Sequence, residues 1–132
     1  MNFVLKAGGN RMAPFNPKIV IKTWGSESWL ANNEKEDYCG KILFIREGHH
    51  TSMHYHVDKH ETFHILEGTL RVDMLWDRDN PDHHPFTITC KQGESMEMER
   101  GRAHMLMAEQ GNVTLIEISK FHRDEDSHRL YT

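Results

Sequence analysis

Apolar and polar residues alternate along this chain in short runs that read as strands, and no stretch shows a helical period. Residues 18–24 form the first strand and run into 25–31, after which residues 32–37 are polar enough to be a turn or loop. Residues 38–46 form a strong strand that ends at Gly48. Residues 61–66 and 69–76 form a hairpin turned by Glu67-Gly68, followed by strands over 86–90, 94–98, 104–108 and 113–119. Period-2 parity places Glu61, Phe63 and Ile65 on one face and His64 on the other, and His60, next to Glu61, also faces away. If Gln110-Gly111 is the centre of a two-residue hairpin, Glu109 pairs with Asn112 and His104 pairs with Glu117 on the same face. A one-residue slip would turn Glu117 outward instead. About nine short strands with regularly spaced turns predict an all-β sandwich or barrel, and the pattern alone does not choose between them.

The remaining stretches read as connections. Residues 1–17 form an N-terminal arm broken by Gly8-Gly9-Asn10, Pro14 and Pro17, either a loose terminus or a strand that pairs with the domain edge or a second subunit. Residues 77–85 are a polar, proline-flanked loop in which His83 and His84 are expected in solvent, and the tail over 122–129 is charged and surface-like. Trp24 and Trp29 read as packing residues.

Composition narrows the function classes. With 132 residues the chain forms one domain with one ordinary core, residues 18–132. A formal charge of −4 gives no electrostatic case for nucleic acid. No apolar run is long enough to cross a bilayer, and the N-terminus lacks the apolar core of a signal peptide. Cys39 and Cys90 match no metal or redox spacing, so a reduced, cytoplasmic protein with two inert thiols is expected.

The chemistry is concentrated between Gly48 and Gly68. His54 and His56 are two apart, so an extended strand points both imidazoles to one side. A short bend through residues 57–60 could return the Glu61 carboxylate to them. Two imidazoles and a carboxylate suit a divalent transition metal with positions left open for water or substrate, and Mn, Fe, Ni, Co and Zn all fit such a set. His104 is a fourth candidate ligand downstream. Lys59, two before Glu61, would lose its proton more easily beside a bound cation and could then act in proton transfer; the alternative is a loop lysine in solvent. Glu117 could orient the His104 ring or act as a general base; the alternative is an outward-facing edge glutamate. Lys22, Arg71, Arg100 and Arg102 are the basic residues available to a phosphorylated substrate, and Met53, Met96, Met98, Met105 and Met107 are either soft pocket walls or plain core.

These two stretches resemble the two motifs of the cupin superfamily. Gly48, His54, His56, Glu61 and Gly68 meet every defined position of the first, G-x5-H-x-H-x(3,4)-E-x6-G. Gly93, Gly101 and His104 meet the second, G-x5-P-x-G-x2-H-x3-N, with Glu99 in place of its proline and Ala108 in place of its asparagine. The resemblance implies a double-stranded β-helix, a jelly-roll barrel with the metal in its lumen, and commonly a homodimer. The spacing His54-x-His56-x2-Lys59-x-Glu61 with a distant His104 is similar to cupin-type sugar isomerases of the D-lyxose isomerase kind. Trp24-Gly25-x-Glu27 and Glu117-x-Ser119 with Asp124 and Asp126 resemble small mannose-6-phosphate-isomerase-like proteins. That likeness implies aldose–ketose isomerisation of a small sugar through an enediol held on the metal, with Lys59 and Glu117 carrying protons. An iron-dependent dioxygenase and a non-catalytic metal- or sugar-binding module are the alternatives, since one fold serves many chemistries.

Overall fold

The computed structural model describes residues 12–80 and 82–132. The arm expected over residues 1–17 lies largely outside that range, and residues 12–17 carry no regular structure. The strands are β1 (Lys18–Lys22), β2 (Gly25–Asn33), β3 (Tyr38–Ile45), β4 (His49–His50), β5 (Met53–Tyr55), β6 (Glu61–Glu67), β7 (Thr69–Met74), β8 (Phe86–Lys91), β9 (Ser95–Met98), β10 (His104–Ala108), β11 (Val113–Ser119) and β12 (His128–Tyr131), with one 3-10 turn at Asp124–Asp126. They form two antiparallel sheets, β1-β2-β3-β11-β6-β9 and β12-β5-β10-β7-β8, with β4 also paired to β10. This is the all-β, double-stranded architecture, and it exceeds the expected strand count because β4, β5 and β12 are too short to show alternation.

Three expectations are corrected. The hairpin turned by Glu67-Gly68 does not form: β6 pairs with β11 and β9, while β7 pairs with β10 and β8 in the other sheet. The first strand ends at Lys22, and Thr23-Trp24 turn the chain into β2, so Trp24 reaches the core from a turn. The hairpin joining His104 to Glu117 does not form. β10 pairs with β4, β5 and β7 in one sheet, while β11 pairs with β3 and β6 in the other. The turn over 109–112 is therefore a corner between sheets, and Glu117 lies across from Lys41 and Phe63 rather than His104. Its inward direction survives because it shares parity with the buried Val113 and Leu115.

The inner face of the first sheet changes character along its strands. On β3, buried Leu43 and Ile45 share the inward face with buried Lys41; on β11, Val113 and Leu115 share it with Glu117; on β6, Phe63 and Ile65 share it with Glu61. Because Lys41 pairs with Glu117, and Ser119 with Glu61, the ionisable residues gather at one end of the barrel. The apolar ends join Leu70, Val72 and Leu106 of the second sheet to close the other end as a core. A second cluster of Met53, Leu75, Ala103 and Met105 packs separately from that core.

The two glycines that bracket the first motif sit in turns for different reasons. Gly48 and Gly68 both adopt positive φ, +80° and +86°, which costs a residue with a Cβ. At Gly48 an added Cβ would meet nothing within 4 Å, whereas at Gly68 it would fall 2.3 Å from the Asn112 carbonyl oxygen. Gly68→Ala should therefore lower the unfolding free energy by about 2–4 kcal/mol, and Gly48→Ala by about 1 kcal/mol. Equal losses in chemical denaturation would contradict the close approach of residues 68 and 112.

Candidate metal centre

Three imidazoles converge at the polar end of the barrel. His54 lies on β5, His56 follows that strand, and His104 opens β10 directly opposite His54 in the pairing register. Their ligand atoms all lie within 4.8 Å of one another, a grouping that could hold a metal ion. Each ring is held through Nδ1 by a backbone carbonyl: His54 by Ser52 at 2.8 Å, His56 by Asp126 at 3.0 Å and His104 by Arg102 at 2.9 Å. A carbonyl only accepts, so each Nδ1 carries the proton and each Nε2 keeps its lone pair. This is how metal-binding histidines are oriented from behind. Burial, then the neighbouring His104 and His56, keep the His54 pKa well below the ordinary histidine value. Burial also lowers His56 to about 4, so both rings are neutral and free to ligate at neutral pH.

Glu61 lies beside the three imidazoles. Its Oε2 lies 3.4 Å from His104 Nε2 and 3.8 Å from His56 Nε2. That oxygen is buried without a hydrogen-bond partner, a costly arrangement unless a cation supplies the missing interaction. Donors about 2.1 Å from one ion stand about 3.0–3.4 Å apart, so the carboxylate–imidazole spacing fits a divalent transition ion with little adjustment. Burial opposes the charge on Glu61, but the Lys59 ammonium outweighs it, and the carboxyl lies well below its ordinary value.

Lys59 is buried, so the solvent-loop alternative does not hold. Its Nζ lies 3.1 Å from Glu61 Oε1 and 3.1 Å from Glu117 Oε2, and it donates to His122 Nδ1 at 2.9 Å. Burial disfavours its charge, but Glu117 and Glu61 more than offset that, and the pKa lies above the ordinary lysine value. Glu117 is inward and buried, so the edge-glutamate alternative also fails. Burial and the nearby Glu61 charge raise its pKa despite Lys59 and Lys41.

Several residues in or behind the cavity wall had no role assigned from the sequence. His122, in the segment read as surface, donates from Nε2 to Asp124 at 3.0 Å while Nδ1 accepts from Lys59. Burial, reinforced by Lys59 and Lys41, lowers its pKa to about 4. Asp126 is buried, and its carboxylate accepts the backbone N–H groups of Val57, Asp58 and Lys59 while its carbonyl holds His56. One tail residue thus fixes both the bend between His56 and Glu61 and the orientation of a candidate ligand. Lys41 and Glu27, 3.3 Å apart, line the same space. The only signal for Lys41 was its inward parity with Leu43 and Ile45 on an otherwise apolar face.

These groups surround a cavity of about 1070 Å³ that contains His54, His56, Glu61, His104, Lys59 and Glu117 in its wall. Among the described residues no methionine lines it; Met98 belongs to the main core, and Met53 and Met105 to the second cluster. His64 points away from it and bonds Ser95 Oγ at 2.7 Å, while His83 and His84 are exposed. Of the basic residues considered for phosphate, Lys22 lines this cavity, Arg71 is bound to Asp73 and Glu109, and Arg100 and Arg102 line a separate hollow beside Trp76.

No family model and no curated protein matches the sequence. Solved structures do. Oxalate decarboxylase from Lactobacillus farciminis, as its formate complex, superposes with a TM-score of 0.71 at 17% identity over 88% of this chain and 35% of that one. The capsular polysaccharide assembling protein CapF from Staphylococcus aureus gives a TM-score of 0.75 at 14% identity over 90% of this chain and 34% of that one. KdgF from Halomonas sp. gives 0.60 at 13% identity over 76% of this chain and 81% of that one. The chain spans about a third of the length of the first two and most of the third. Two antiparallel sheets, a polar lumen at one end and these likenesses together show that the chain has the cupin fold.

Proposed function

We propose that the chain is a metal-dependent enzyme that interconverts a small aldose and its ketose. His54, His56, Glu61 and His104 are the ligands of one divalent transition ion, Glu117 is the proton carrier and Lys59 its charged partner. The observation that carries this reading is the position of Lys59 Nζ, 3.1 Å from the carboxylates of both Glu61 and Glu117. It sets a proton-accepting carboxyl one ammonium group away from the ligand cluster, inside a cavity roomy enough for a sugar.

A divalent ion in this donor set polarises the hydroxyl and carbonyl oxygens it faces and makes the adjoining C–H bond more acidic. Glu117, with its raised pKa, accepts the proton from C2 of the aldose and returns it to C1, while a hydroxyl proton passes from O2 to O1. Atoms and electrons balance without an oxidant. Lys59 remains an ammonium throughout and offsets negative charge developing on the sugar oxygens. His122 accepts one Lys59 proton in a hydrogen bond and aims the ammonium, with Asp124 fixing the ring from its far side.

Metal-loaded protein incubated with D-lyxose or D-mannose in deuterated water should exchange the C2 hydrogen with solvent and form the ketose. Glu117→Gln should slow that exchange by about 10²–10⁴-fold while keeping the metal. Oxygen uptake by the ferrous protein with no solvent exchange would instead assign the site to a dioxygenase, and sugar binding without exchange would make it a binding module. Asp126→Ala should weaken metal affinity by about 10–100-fold, because it releases the bend that carries His56 toward Glu61, whereas exposed Glu125→Ala should not. Equal metal affinity in the two variants would show that Asp126 does not support the ligands.

A further inference from the structure

The cavity extends beyond the ligand cluster to a second polar pair that the isomerisation chemistry does not use. Lys41 is only 2% exposed, and its Nζ lies 3.3 Å from Glu27 Oε1. Burying such a pair costs several kcal/mol of desolvation that its mutual attraction barely recovers, and an apolar pair at the same positions would stabilise the barrel at least as well. Leu43, next along the inward face of the same strand, shows that the sheet accepts apolar residues there.

Trp29 builds the pair. Its Nε1 donates to Glu27 Oε1 at 2.8 Å, and its ring lies 4.3 Å beneath the Lys41 ammonium. Lys18 covers the ring as well, at 4.7 Å, so the indole is already engaged and serves as a mount for the two charges rather than as a platform for a ligand. Both contacts of Glu27 fall on Oε1, leaving Oε2 outside the Trp29–Lys41 contact.

We propose that Lys41 and Glu27 are the subsite for the far end of the metal-anchored ligand, and that they select a neutral polyol with two adjacent hydroxyls over a sugar acid or sugar phosphate. Each hydroxyl of such a diol both donates and accepts, so one can receive a proton from Lys41 Nζ while its neighbour donates to Glu27. An anionic group would gain from Lys41 but be repelled by Glu27. Lys22, Arg129 and Asp124 also line the cavity, so discrimination against an anion rests on Glu27 beside Lys41. The reach is suitable. Lys41 on β3 lies two strands from Glu61 on β6, across β11, and two residues along, or about 12 Å between backbones, which their side chains and a five- or six-carbon chain between them span. This inference rests on the carbohydrate reading above and specifies its substrate class.

The test reads binding rather than turnover. Isothermal titration of the manganese-loaded protein with D-mannose, D-mannonate and D-mannose 6-phosphate should rank the neutral sugar first. Lys41→Met and Glu27→Gln should each weaken D-mannose binding by tenfold or more, and Trp29→Phe, which keeps the ring but removes the Nε1 donor, by about threefold. If Lys41→Met fails to fold, the other two variants carry the same comparison. Tighter binding of mannonate or the phosphate, with Glu27→Gln improving it, would overturn the proposal, as would D-mannose binding that none of the variants alters or no D-mannose binding at all. Sugar binding that depends on Lys41 and Glu27 but leads to no solvent exchange would leave the subsite standing and remove the isomerase.

Discussion

One ammonium group holds the polar end of this barrel together. Lys59 Nζ lies 3.1 Å from a carboxylate of β6 and 3.1 Å from a carboxylate of β11, all three side chains being buried. Without that charge, Glu61 and Glu117 would face each other inside the protein as two uncompensated anions, a situation that typically costs 3–5 kcal/mol or forces one of them to take up a proton. With it, the two carboxyls divide their roles. Glu61 stays ionised and presents Oε2 to the imidazoles, while Glu117, more weakly compensated, keeps a raised pKa. The opposite directions of their two pKa shifts come from how one lysine is shared between them.

The fold makes that sharing affordable by separating two environments within one lumen. Leu43, Ile45, Phe63, Ile65, Val113 and Leu115 close one end with the apolar contacts that stabilise the sheets. The same strands are then free to carry Lys41, Glu61 and Glu117 at the other end. Backbone carbonyls do the orienting: Ser52, Asp126 and Arg102 each hold one imidazole by Nδ1, which directs three Nε2 lone pairs inward without using further side chains. Asp126 adds a carboxylate under three consecutive N–H groups, so the bend between His56 and Glu61 is set from the far end of the chain.

Much of this was legible in the sequence, and the misses have physical causes. Alternation placed Glu61, Phe63 and Ile65 inward and His64 outward, because a strand with one buried face repeats strictly every two residues. The spacing of His54 and His56 marked two members of the imidazole group, since an extended strand turns residues two apart to one side. Glu117 was brought inward by parity but through the wrong partner: turn composition at 109–112 does not distinguish a hairpin from a corner between sheets, which depends on pairing far along the chain. Lys59 was left between a proton carrier beside a bound cation and a solvent lysine, because its two carboxylate partners lie on separate strands. His122 and Asp126 lie in a charged tail with no alternation, and only the tertiary contacts with residues 56–59 give them meaning.

The central claim is that the imidazole cluster and Glu61 exist to hold a metal ion. Elemental analysis of tag-free protein, purified without chelator and compared with His56→Ala, tests it most directly. The account predicts about one transition-metal ion per wild-type chain and a loss of that metal in the variant, with the β-sheet circular dichroism unchanged. A wild-type protein that takes up no manganese, iron or zinc on soaking, or a His56→Ala protein that retains a full complement, would contradict it.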